Sequence, residues 1–130
     1  MTTYLVGSIT RRDVPVMTAT TPIRHAVAVL VDARAAAAPV LDDDGALIGI
    51  LTQKDCFRPA LHASYHREWT GCVADHMTPD VVSVDAGDEV IRVAEMFIEH
   101  PHRVFPVLEG ARLAGLLHRS DVLALLTRFG

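Results

Sequence analysis

Apolar residues recur at three- and four-residue spacing in two stretches of the chain: Ile23, Ala26, Val27, Leu30 and Val31, and then Val90, Val93, Ala94, Phe97 and Ile98. That spacing places them on one side of an α-helix, so each stretch predicts a helix with that face in a core. Thr21-Pro22 marks the first start, an N-cap residue followed by proline at the first helical position. Ahead of each helix a short apolar run, Val14 to Met17 and Val81 to Val84, predicts a strand. Behind the first helix, runs from Pro39 to Leu41 and Leu47 to Leu51 flank Asp42-Asp43-Asp44-Gly45, which predicts a β-hairpin. Glu109-Gly110 makes a tighter version in the second half. A last helix starts near Thr52 in one half and near His118 in the other, so each half reads strand, helix, strand, strand, helix. Phe57 to Cys72 carries a helical tail and then a polar connection ending at Gly71.

The halves are copies of one another. Pro39-Val40-Leu41 recurs as Pro106-Val107-Leu108, 67 residues on. Leu47, Gly49, Leu51 and Asp55 recur as Leu113, Gly115, Leu117 and Asp121, 66 residues on, so the second turn is one residue shorter. Upstream, Ile9-Thr10 with Asp13-Val14 parallels Met77-Thr78 with Asp80-Val81, on the reading that the loops between them differ by one residue. The units are expected at 1–60 and 73–130, joined by 61–72 into one module.

Composition narrows the class. In 130 residues, 50% hydrophobic and 22% charged, there is material for one packed interior and too little polarity for a disordered chain. Aromatics are only 5%, so the core is expected to be built from Val, Leu, Ile and Ala. A net charge of -4 argues against duplex nucleic acid as a partner, but a single nucleotide needs only one or two local cations. Cys56 and Cys72 form no CxxC pair and no stretch resembles a secretory signal, so reduced thiols in a cytoplasmic protein are expected. No apolar run reaches the roughly 20 residues that span a bilayer, and no membrane partner is expected.

The segment Gly49-Ile50-Leu51-Thr52-Gln53-Lys54-Asp55 concentrates the chemistry. A glycine and a buried strand run into Thr and Asp at a helix start, where backbone N–H groups and the helix dipole favour an anion. The Thr52 hydroxyl can donate to a phosphate or ribose oxygen, and the Asp55 carboxylate can accept both vicinal ribose hydroxyls. The same two residues also suit a capping box with no ligand at all. In the second half Gly115-Leu116-Leu117-His118-Arg119-Ser120-Asp121 puts His118 in the place of Thr52 and Asp121 in that of Asp55. His118 can donate to a phosphate or stack on a base, and Arg119 can supply charge. Arg11 and Arg12 lie ahead of the first strand, within reach of a phosphate or merely solvated. His62 and His66, four apart, could face one metal, but no further ligand completes a set. Cys56 reads as a packed thiol.

On Met77-Thr78, the two Pro-Val strands, Asp44-Gly45 and the GxxTxxD segment from Gly49 to Asp55, the chain resembles the paired CBS domain, or Bateman module, along nearly its whole length. The resemblance implies a mixed α/β (α+β) fold, two βαββα units related by pseudo-two-fold symmetry, with sheets packed together and helices outside. It also implies two clefts between the units for adenosine ligands. By carry-over, Asp55 is the ribose-binding carboxylate of one cleft with Thr52 beside the phosphates, and Asp121 is its counterpart. Two positions depart from the pattern: Ile9 replaces the usual Met of the first leading motif, and His118 the usual Thr or Ser.

The function expected is therefore that of a stand-alone regulatory module, not an enzyme. It would bind AMP, ADP, ATP or S-adenosylmethionine through Thr52, Asp55, His118, Arg119 and Asp121, require no cofactor or metal, and signal to an unidentified protein partner. The alternatives are a ligand-free dimerisation module and, ranked last, a small metal or nucleotide-processing enzyme using His62, His66 or Cys56. Apolar helix faces on a thin sheet predict a homodimer, and the resemblance implies a flat assembly of four units.

Overall fold

The computed structural model describes residues 3–129, which form two three-stranded sheets and their covering helices. In the first repeat β1 (Met17–Thr18), α1 (Ile23–Ala33), β2 (Ala37–Leu41), β3 (Leu47–Thr52) and α2 (Gln53–His66) follow in the expected order. A one-turn helix α3 (Val73–His76) leads into the second repeat: β4 (Val84–Asp85), α4 (Val90–Glu99), β5 (Val104–Glu109), β6 (Arg112–His118) and α5 (Arg119–Leu126). Both sheets share one plan. A short strand pairs in parallel with the middle strand, and the middle strand pairs antiparallel with the third, with a register shift at Val40/Leu41 and again at Val107/Leu108.

Local chemistry explains the elements. Asp42 closes the first hairpin by accepting from the N–H groups of Asp44 and Ala46, both at 2.9 Å, and Gly45 takes φ +84°, which a side chain would resist. The second hairpin turns on Gly110 and Ala111 alone, with Glu109 opposite Arg112. The helix α2 opens with a capping box at Thr52 and closes on Arg67 in the left-handed region.

Three expectations need correction. The strands ahead of the helices are only two residues long, because Pro15 offers no N–H for pairing and Val81 N–H turns back to the Pro79 carbonyl. Helix α1 starts one residue late: Pro22 is extended and stands at the N-cap, while the Thr21 hydroxyl pairs with that of Thr18 at 2.9 Å instead of capping. Val31 and Ile98 are not core residues but are 62% and 86% exposed. At about 100° per residue, position 31 lies roughly 80° around α1 from Ile23, outside the stripe made by Ile23, Ala26 and Leu30.

Two compact units exist in space: Pro15–Val81, and the described residues up to Val14 together with those from Val82 onward. Each repeat therefore lends its first residues to the other's unit. Val73 is buried with Met17, Ile23, Ala26, Val40 and Leu51, and Val6 occupies the same place among Val84, Val90, Val93, Val107 and Leu117. The matching hydrogen bonds hold a constant offset. Val6 and Gly7 N–H donate to the carbonyls of Asp88 and Ala86, as Val73 and Ala74 do to those of Thr21 and Ala19.

That offset corrects the alignment of the leading segments. Arg11 pairs with Leu116 through both its N–H and its C=O, at 2.9 Å each, and Thr78 pairs with Ile50 in the same way. Thr10-Arg11, not Ile9-Thr10, stands in the place of Met77-Thr78, and no loop difference separates the two segments. The crossing needs a residue without a side chain. A Cβ on Gly115 would run into the Arg11 carbonyl, whereas a Cβ on Gly49 would lie 2.6 Å from the Met77 sulfur and 3.1 Å from the Thr78 carbonyl. Met77 can swing aside and the Arg11 backbone cannot. We expect Gly115→Ala to cost about 3 kcal/mol and Gly49→Ala about 1 kcal/mol in denaturant unfolding, from the usual cost of overpacking. Equal losses would contradict this account of the crossing.

Candidate functional site

The two GxxxxxD segments end at two equivalent helix starts, one in each unit. At the first, Thr52 stands at the N-cap of α2 and Asp55 three residues on. Asp55 N–H donates to Thr52 Oγ1 at 3.2 Å, and Thr52 N–H donates to Asp55 Oδ2 at 3.0 Å. Both residues are half-buried, and among the described residues Asp55 Oδ1 accepts no hydrogen bond. The capping arrangement thus uses one carboxylate oxygen and leaves the other at the start of the helix, where the dipole favours an anion.

Cys56, next along the helix, is buried where the other unit has Val122. Its thiol donates to the Thr52 carbonyl at 3.3 Å. Burial, and then the neighbouring Asp55 charge, push its pKa up to about 11, so it is a neutral thiol at physiological pH.

The second helix start is wired differently. His118 is at the N-cap of α5 but makes no side-chain cap, and Asp121 does not reach back to it. Asp121 instead accepts from Arg11, Nε to Oδ2 at 2.7 Å and Nη2 to Oδ1 at 3.0 Å, a two-pronged ion pair. Arg11 holds the Asp121 carboxyl below the usual carboxylate value, first through the hydrogen bond and then through its charge. His118, half-buried, is held below the ordinary imidazole value by burial and then by the Arg11 charge. Arg119 is exposed on the first turn of α5. Arg12 turns to Glu109 at 3.4 Å.

The structure therefore brings Thr52 together with Asp55, and Asp121 together with Arg11. The partnership of Arg11 with Asp121 escaped the sequence reading, which weighed Arg11 only as a solvated or phosphate-facing residue. The signal was present in the two offsets, 67 ahead of the hairpin and 66 after it, which set Arg11 opposite Leu116 as Thr78 is opposite Ile50. His62 and His66 lie with ring centroids 4.4 Å apart, both exposed on α2. Among the described residues, no group of three or more His, Cys, Asp or Glu side chains is placed to hold a metal ion.

The ion pair has a pH signature. Because the folded-state pKa of Asp121 is depressed, the unfolded chain binds more protons near that value, so the pair stabilises the fold above about pH 4. Its contribution fades as pH falls through the folded value. Arg11 is 53% and Asp121 30% exposed, and solvent screening keeps the effect under about 1 kcal/mol. Arg11→Gln is expected to lower stability by up to that amount at pH 7 and by nothing measurable near pH 2, in urea titrations at both pH values. A difference that persists at pH 2 would assign the loss to packing instead.

Comparison with known proteins gives the family. A CBS-domain family model matches the chain twice, at residues 6–61 and 73–128. YlbB of Bacillus subtilis is 30% identical over 92 residues, 70% of this chain and 61% of that protein. The gamma-3 subunit of 5'-AMP-activated protein kinase from Sus scrofa is 28% identical over 130 residues, 91% of this chain and 24% of its own length. The chain thus spans less than two thirds of these curated relatives. Among solved structures, CBSX2 from Arabidopsis thaliana has a TM-score of 0.82 at 26% identity, covering 98% of this chain and 96% of that one. CBSX2 in complex with AMP also has a TM-score of 0.82, at 25% identity, with 96% and 97% covered. With both repeats matched and the paired fold reproduced, the chain belongs to the CBS-domain family as a tandem CBS pair.

Proposed function

We propose that this chain is a regulatory module that binds an adenosine nucleotide at the Thr52–Asp55 helix start and passes the binding event to a protein partner, rather than an enzyme. The observation that carries the reading is the Asp55 carboxylate at the start of a 14-residue helix, its Oδ2 held by the Thr52 N–H and its Oδ1 accepting no hydrogen bond among the described residues. A carboxylate so held can accept ribose hydroxyls, while Thr52 and the helix dipole favour phosphate nearby. The likeness to CBSX2, solved with AMP, supports the same ligand class. His118, Arg119 and Asp121 are the corresponding residues of the second helix start. ADP, ATP and S-adenosylmethionine remain the competing ligands, and a cytoplasmic setting suits a nucleotide sensor with two free thiols.

Thermal melting with each of the four ligands tests this. A ligand that binds only the native state at 100 times its Kd stabilises it by about 2.7 kcal/mol, a shift of several degrees. We expect such a shift with AMP or a related nucleotide, and its loss in Asp55→Ala. No shift with any of the four would remove the nucleotide and leave Thr52 and Asp55 as helix caps only.

A second copy of the chain is the proposed occupant of the exposed helix faces. Phe57, Leu61 and Tyr65 follow one another at four-residue spacing along α2, and all are more than half exposed. Beside Phe57 a groove of about 200 Å³ opens between α1 and α2, where Leu30 stands in the place of the larger Phe97. The other unit exposes Ile91 and Ile98 on α4 and Leu123 on α5, where Leu123 stands in the place of Phe57 and Ile98 in that of Val31. Apolar faces exposed in this way suit an isologous contact, in which the same patch serves both partners. Sedimentation equilibrium is expected to give a dimer, and Leu61→Glu with Ile98→Glu a monomer. A wild-type monomer at all concentrations would end the dimer proposal.

A further inference from the structure

The same carboxylate is in two different states at the two helix starts. Asp55 lends one oxygen to the backbone and keeps the other, whereas both oxygens of Asp121 are engaged by the Arg11 guanidinium at 2.7 and 3.0 Å. Arg11 is held there by its main chain, which pairs with Leu116 on both sides of the residue and crosses β6 where Gly115 leaves room. Thr78, the residue in the same place against β3, carries no charge to offer Asp55. A guanidinium edge and a ribose diol make the same demand on a carboxylate, since each presents two donors to its two oxygens. They compete for one acceptor pair.

Resting on the nucleotide reading above, we infer that Arg11 is an intramolecular latch on the second helix start. By occupying Asp121 it makes the chain take its first adenosine nucleotide at Asp55 and holds the Asp121 position in reserve as the weaker one. The latch is light, because the pair is partly exposed. Removing the guanidinium is expected to raise affinity at Asp121 by up to about fivefold, the upper range for a screened, two-pronged pair. Anything that draws Arg11 away, a phosphate of a second ligand or an acidic partner surface, would free the same carboxylate.

Calorimetric titration with AMP tests the latch on four proteins: wild type, Arg11→Gln, Asp55→Asn and the double variant Arg11→Gln/Asp55→Asn. Melting temperatures confirm folding of each, and the Arg11→Gln change keeps the main-chain bridge to Leu116. The expected result is a tight and a weaker site in the wild type, the weaker site tightened up to about fivefold in Arg11→Gln, loss of the tight site alone in Asp55→Asn, and one tightened site in the double variant. Adding Asp121→Asn to the double variant should abolish that site again. A wild type that binds AMP at Asp55 while Arg11→Gln gains nothing overturns the latch and leaves the nucleotide reading standing. Two equal sites in the wild type also overturn it. Binding that appears only in Arg11→Gln and depends on Asp121 supports the latch and overturns the assignment of the wild-type site to Asp55. Absence of binding in every protein overturns both.

Discussion

The fold depends on an exchange of leading segments between the repeats. Each core cluster contains one valine that its own repeat does not supply: Val73 sits among the side chains of the first repeat and Val6 among those of the second. Each valine is fully buried, so its removal would leave a void in an interior otherwise packed from small aliphatic residues. Main-chain bonds fix the exchange in register, N–H of Val6 to Asp88 and N–H of Val73 to Thr21, followed by the paired bridges at Leu116 and Ile50. Neither core is complete from one repeat alone. The repeat seen in the sequence and the unit seen in space are therefore different objects, offset from each other by the length of the leading segment.

The same exchange sets the chemistry at the helix starts. Because the leading segment crosses the third strand at the glycine, one residue of that segment is bonded to the strand residue after the glycine, three residues before the next helix begins. In one unit that residue is Arg11, and in the other it is Thr78. The glycine, the crossing and the carboxylate are common to both units, whereas the crossing residue, Arg11 or Thr78, and the N-cap residue, His118 or Thr52, differ. With threonine the carboxylate turns inward and caps its own helix; with arginine it turns to the cation and leaves His118 without a capping partner. A two-pronged, charge-assisted pair outcompetes a single bond to a backbone N–H.

Much of this was legible in the residues. The element order, the hairpins, the helix starts at Thr52 and His118 and the duplication all follow from periodicity, turn residues and spacing, which are local properties. Misreadings fell where a distant partner decides. Pro22 stands outside α1 because Cys72 pairs with it and Gly71 receives the Ile23 N–H. Val31 is apolar but lies past the edge of the buried stripe, where only the absence of a covering element makes it exposed. Arg11 was the largest omission: its role needs both the correct offset between repeats and the knowledge that the segment crosses into the other unit, and neither is written in its neighbourhood.

Capping and ligand binding at Asp55 are not rivals. A capping bond fixes the carboxylate plane and spends one oxygen, which orders the group without exhausting it, and an ordered acceptor binds a diol at lower entropic cost than a mobile one. The bond that makes Asp55 look merely structural is thus also what would preorganise it. Asp121 is ordered as well, but by a partner that takes both oxygens, so order there comes at the expense of availability. Two helix starts with one motif are separated by a charge 110 residues away in the chain, and a motif search centred on the GxxxxxD segments cannot see it.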